Sequence, residues 1–222
     1  MIAIDGTAGS GKTTIASLLA EYLGAVYLDT GVLYRAVTLL AQRRNLNTDD
    51  GTALARLIEN GAIALESAAV PSGRSLAVLI DGEDVSDHLR TPEIDRSVSA
   101  YSALPEVRAA LLPIQREFAA ERRVVMAGRD IASVVFPDAG VQIYLDASLE
   151  ERARRRWLQQ QQAANPMSLE AVQADLARRD EIDSSREHSP LTRADEAVHV
   201  QTDGKSIADV VTEVAAIAEA VH

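Results

Sequence analysis

Cysteine is absent from the 222-residue chain, which excludes disulfide cross-links and thiolate metal ligands. A cytosolic setting fits that absence. The four histidines, His88, His188, His199 and His222, are scattered, so no imidazole cluster points to a metal site. No apolar run approaches ~18 residues and no charged-then-apolar leader opens the chain; neither a membrane span nor a signal peptide is expected. Basic excess is lacking too. The net charge of -11 argues against broad nucleic-acid binding, which needs a basic face. Any anionic ligand must be held locally, and the arginines do bunch at 152–156 and 178–186. Lysine is scarcest of the charged residues: Lys12 and Lys205 are the only two. Internal repeats and low-complexity linkers are also missing.

What remains has the composition of a soluble globular protein, 47% hydrophobic and 25% charged, and is long enough for a sizeable core. Ile2-Ala3-Ile4 and Ala25 to Leu28 read as short buried strands, and so do Val124 to Ala127, Val141 to Leu145 and Val198 to Gln201. Helical spacing occupies Lys12 to Leu23, Gly31 to Arg44, Asp49 to about Gly61, Thr91 to Glu121, Ser148 to the break at Asn165-Pro166, Ser168 to about Asp183, and Ile207 to Val221. Pro105 and Pro113 are expected to start or break helical segments. Residues 62–66 and 75–80 alternate like strands, with Asp81-Gly82 as a hairpin turn, so a small antiparallel insertion is expected. Five apolar strands alternating with helices predict an α/β fold with a five-stranded parallel sheet covered on both faces.

Gly6-Thr7-Ala8-Gly9-Ser10-Gly11-Lys12-Thr13 fits the phosphate-loop pattern, with a strand before it and a helix after. The glycines let successive N–H groups curl around an anion, and the following helix aims its positive end at the same point. Lys12 would reach the β- and γ-phosphates of a nucleotide, and the Thr13 hydroxyl would ligand Mg²⁺. A compact ammonium suits so tight a nest better than a forked guanidinium. The loop alone leaves open a GTPase, an ATPase motor, a transporter subunit or a small-molecule kinase. A guanine-reading Asn-Lys-x-Asp is absent, because the only other lysine follows Gly204, and a motor has little room in this length. A kinase with a second substrate remains.

Further chemistry gathers at strand ends. Leu28-Asp29-Thr30-Gly31-Val32-Leu33-Tyr34-Arg35 and Gly128-Arg129-Asp130 both follow expected strands, where ligands bind in such sheets. Arg179, Asp183 and Arg186 share a helical face. Together with GTAGSGKTT (6–14), DGEDVSDHLRTPEID (81–95), SAYSALPEVR (99–108), AGRDIASVVFPDA (127–139), LDASLEERARRR (145–156) and RRDEIDSSREHSPL (178–191), these stretches resemble the bacterial cytidylate kinases, in family order over essentially the whole chain.

The resemblance implies one P-loop kinase domain over 1–222, with an inserted monophosphate-binding region at about 36–100 and a helical lid at about 150–167. It implies ATP and Mg²⁺ as donor and cofactor, with Gly6 to Thr14 on the nucleotide, and CMP and dCMP as acceptors. Arg35, Arg129 and Arg186 would hold the monophosphate, because forked guanidiniums suit a dianion. Ser99, Arg108 and Asp130 would read cytosine, Arg179 and Asp183 the ribose, and Thr30 also falls in the acceptor site. Asp130 would accept from the 4-amino group, whereas uracil would turn a carbonyl toward it. Arg152, Arg155 and Arg156 would meet the ATP phosphates, while Arg154 reads as a solvated face. Asp29 would hold a Mg²⁺-bound water or cap a helix. Tyr34 and Trp157 read as packing.

Two departures from the family pattern stand out: Thr13 follows the loop lysine, and Ala132-Ser133 follow Gly128-Arg129-Asp130-Ile131. A kinase for UMP or dUMP, a kinase for an alcohol such as shikimate, and an ATP-binding protein without transfer activity remain as alternatives. A monomer is expected, since no extended apolar interface stripe is seen.

Overall fold

The computed structural model describes residues 1–67, 76–120, 122–161 and 167–220. These residues form eight strands and eight α-helices. The parallel strands are β1 (Ile2–Gly6), β2 (Val26–Asp29), β6 (Val124–Ala127), β7 (Val141–Asp146) and β8 (Val198–Gln201), in the sheet order β2-β6-β1-β7-β8. All of β1 and β6 is buried, without alternation. Successive side chains point to opposite faces, so a fully buried strand must be covered on both. At the sheet's edge β8 buries only Val200. The helices are α1 (Lys12–Tyr22), α2 (Gly31–Arg44), α3 (Gly51–Glu59), α4 (Pro92–Ser102), α5 (Pro105–Ala119), α6 (Leu149–Gln160), α7 (Leu169–Ser184) and α8 (Ile207–Glu219).

The chain divides into two compact units. One comprises Met1–Ala25 and Val124–His222, the other Val26–Arg123. In the second, α2 buries Leu33, Ala36, Val37 and Leu40, the apolar stripe its spacing requires, against a cluster that includes Leu54, Ile58, Ile80 and Leu111. This unit also carries the antiparallel sheet of β3 (Ile63–Ser67), β4 (Leu76–Ile80) and β5 (Glu83–Asp84). The turn between β4 and β5 has positive φ at both Asp81 (51°) and Gly82 (83°), the geometry of a two-residue hairpin that opposes Ile80 to Glu83.

The two prolines behave differently. Pro105 opens α5, where a missing N–H costs nothing. Contrary to expectation, Pro113 neither starts nor breaks a segment; it lies inside α5. Pro113 and Ala109, whose carbonyl loses its partner, are both exposed, so water can serve that carbonyl. The break expected at Asn165-Pro166, the end of the last helix at Val221 and the strand start at residue 75 fall outside the described residues.

Candidate functional site

The expected phosphate loop begins at the end of β1, where Gly6 lies close against β7. A Cβ on Gly6 would sit 2.0 Å from the Leu145 carbonyl oxygen, so only glycine fits. Gly9 (φ 80°) and Gly11 (φ 96°) adopt left-handed backbone, and Gly11 is the N-cap of α1. No acidic residue occupies the first turn of α1, which leaves its positive end uncompensated. Lys12 spans the loop: its Nζ donates to the Thr7 carbonyl at 2.5 Å and to Ser10 Oγ at 3.4 Å. Thr13 and Thr14 are exposed in the same turn, and Ser10 is buried.

Beneath the loop lies Arg152. Its Nη1 donates to the Ala8 carbonyl at 2.9 Å and pairs with Asp180 at 2.7 Å, and its Nε donates to the Ala147 carbonyl at 3.0 Å. Ala8 packs in a small cluster with Ala153, Val172 and Leu176, against which Trp157 rests, in keeping with its expected packing role. The other arginines of α6 diverge. Arg155 pairs with Glu151 and donates to Thr202 Oγ1 at 2.9 Å and to its carbonyl at 2.6 Å. Arg154 is exposed and shares Glu151, the solvated placement expected of it. Arg154 and then Arg155 hold the Glu151 carboxyl below its usual range. Arg156 is half-buried.

Two of the arginines expected to hold the monophosphate, Arg129 and Arg186, meet at one carboxylate. Arg129 Nε donates to Asp183 Oδ2 at 2.9 Å, and Arg186 Nη2 donates to Asp183 Oδ1. Asp183 is 5% exposed, so a tight cluster joins the end of α7 to the segment after β6. Arg179 pairs instead with Asp175 at 3.0 Å, one turn back along α7. Asp130 is buried and precedes a wide π-helical turn, Ile131–Val135.

That turn exposes a residue the sequence reading missed. Asp5, at the end of β1, is buried, and its Oδ1 and Oδ2 accept from the Ile131 and Ala132 N–H groups, each at 2.8 Å. Burial raises its pKa to about 6; the two amides and Lys12 pull it down, and Asp130 pushes it up. The available signal was an acid inside an otherwise apolar strand: a buried carboxylate demands donors. Ala132, one of the two departures noted above, supplies a donor through its backbone, which its side chain does not affect.

In the second unit, Arg35 Nη1 pairs with Asp95 at 2.7 Å and donates to the Leu89 carbonyl at 3.1 Å. Arg108 is buried, donates to the Ser102 carbonyl at 2.9 Å and stacks over Tyr34, 5.2 Å from the ring centroid. Tyr34 belongs to the core, as expected of a packing residue. Ser99 is buried, and its carbonyl accepts from Ser102 Oγ. Thr30 is buried as the N-cap of α2. Asp29 Oδ1 accepts from the Gly31 N–H at 3.0 Å, a capping contact, and Oδ2 lies 3.7 Å from Arg90.

These features sit in a chain whose residues 2–220 match the family described as cytidylate kinase. The chain belongs to the cytidylate kinase family. The cytidylate kinase of Geobacter sulfurreducens is 47% identical over 210 residues, covering 95% of this chain and 88% of its own. That of Carboxydothermus hydrogenoformans is 44% identical over 210 residues, 95% and 93%. Among solved structures, a shikimate kinase from Bacteroides thetaiotaomicron aligns over 98% of this chain and 97% of its own, with a TM-score of 0.49 and 14% identity.

Proposed function

We propose that this cytidylate kinase family member transfers the γ-phosphoryl group of ATP to the phosphate of CMP and dCMP, giving ADP with CDP or dCDP. One observation carries the reading: in a chain of this family, the Lys12 ammonium and the acid-free start of α1 meet at a loop of left-handed glycines. The acceptor is already an oxyanion, so no strong general base is needed. Catalysis is in-line positioning and neutralisation of the charge on the moving group.

Lys12 supplies part of that charge, with the backbone of Gly6 to Thr14 around the donor phosphates. Arg152, Arg155 and Arg156 supply the rest; for Arg155 this requires release from Thr202, consistent with α6 acting as a lid that keeps water from the reaction. Arg35, Arg129 and Arg186 are assigned to the acceptor phosphate, Ser99, Arg108 and Asp130 to cytosine, Arg179 and Asp183 to ribose, and Thr30 to the acceptor site. Among the described residues no group of three or more His, Cys, Asp or Glu could hold a metal. The exposed Thr13 hydroxyl would ligand Mg²⁺, and Asp29 would hold a water of that ion. When bound, Mg²⁺ neutralises phosphate charge. The reading includes a monomer working in the cytosol on small molecules rather than nucleic acid. No described helix is long and apolar enough to cross a membrane.

The test is ADP release from ATP and Mg²⁺ with a panel of CMP, dCMP, UMP, dUMP, AMP, GMP and shikimate. CMP and dCMP should stimulate it most. ATP binding without stimulation by any monophosphate would overturn the reading.

A further inference from the structure

Ile4 and Asp5, consecutive at the end of β1, grip the segment after β6 on either side of Arg129-Asp130. The Ile4 carbonyl takes the Gly128 N–H at 3.0 Å, just before that dipeptide. The Asp5 carboxylate takes the N–H groups of Ile131 and Ala132 at 2.8 Å each, just after it. Between the two grips Asp130 leaves strand geometry (φ -145°, ψ 27°), and its carbonyl receives the N–H groups of both Val134 and Val135. Two adjacent amides satisfied by two oxygens of one side chain form a fork that needs a carboxylate: serine offers one acceptor, and a carboxamide offers one acceptor and one opposing donor. With Asp5 only 2% exposed, water cannot stand in for it.

We propose that Asp5 is a positioning residue for the acceptor substrate, its carboxylate fixing the turn that carries Arg129 and Asp130. This rests on the acceptor-site reading above. The same strand leads directly into the phosphate loop, so β1 sets both the nucleotide cradle and, through Asp5, the placement of the acceptor-binding pair. Keeping a carboxylate ionised at such depth is unfavourable, as its raised pKa of about 6 reflects, and a residue retained for packing alone would be apolar. The residue does not touch the substrate; it acts through the backbone of residues 129–132.

The experiment is steady-state kinetics of Asp5→Asn, with CMP and MgATP varied separately and UMP as competitor. Expected is a rise of about tenfold in KM for CMP, with KM for MgATP within about twofold of wild type and a reduced preference for CMP over UMP, because one amide faces an opposed donor. Equal rises in both KM values would mark a merely structural role and overturn the proposal. Arg129→Ala and Asp130→Asn serve as controls. If both leave KM for CMP unchanged, the acceptor-site reading is wrong and the proposal falls with it; if both raise it while Asp5→Asn does not, the positioning role alone is wrong. Amide hydrogen exchange in the wild-type protein gives an arm that does not depend on the variant folding. Slow exchange at Ile131 and Ala132 supports the fork, and exchange at the rate of an open loop overturns it.

Discussion

In the proposed function Lys12 is the side chain on which the most chemistry is concentrated. Replacing it with Gln removes the ammonium that donates to the Thr7 carbonyl while keeping a polar N–H donor. We expect kcat to fall at least about a hundredfold, with little change in melting temperature, because loss of one charge-stabilising donor typically costs two to three orders of magnitude. Gly6 presents the reverse case. Gly6→Ala drives a methyl group to 2.0 Å from the Leu145 carbonyl oxygen, and a strand pair must part to accept it. The expected loss is about 3 kcal/mol, or roughly a 10 °C drop in melting temperature by calorimetry. Asp130→Ala should slow CMP turnover and narrow the gap between CMP and UMP; an unchanged ratio would remove Asp130 from base reading.

At the scale of elements, local rules read well and long-range ones did not. The span of α2, Gly31–Arg44, is the one its apolar spacing and flanking residues predict. Ser168, where the helical spacing begins, caps α7, its hydroxyl accepting from the Ala171 N–H. The Asp81-Gly82 turn follows from residue types that tolerate positive φ. The π-helical turn at Ile131–Val135 was illegible, because the acid that accepts its first N–H groups lies more than a hundred residues earlier. Likewise α6 could be read as an arginine-rich helix, but Thr202, which engages Arg155, lies on a segment that no periodicity connects to it. Pro113 shows that a rule about helix interiors depends on exposure. Pro113→Ala would restore an N–H facing the Ala109 carbonyl, and we expect a gain of about 1 kcal/mol in denaturant unfolding, the proline's lower unfolded-state entropy offsetting part of the recovered bond.

For the whole molecule, Asp5 links stability to pH in an unusual direction. Its carboxyl titrates near 3.8 when unfolded and at about 6 when folded. Between those values the folded chain keeps a proton that the unfolded chain has lost. Its contribution is therefore greatest below the unfolded value and declines as pH rises through about 6, by roughly 3 kcal/mol in all. Lys12 and the two amides moderate that loss, and Asp130 deepens it. Stability curves of wild type and Asp5→Asn should accordingly diverge between pH 4 and 7, with the wild type losing ground; parallel curves would show that Asp5 has no such shift.

The near-absence of lysine has a practical corollary. Lys12 is buried beneath its loop contacts, whereas Lys205 sits in the open beside Glu213, ahead of α8. Acylating reagents, fluorescent esters and amine-coupled sensor surfaces would thus attach at Lys205 or the α-amine before reaching the proposed nucleotide cradle. A Lys205→Arg form would leave a single ε-amine in the protein, whose slow acylation becomes a direct optical or mass readout of when that cradle is filled.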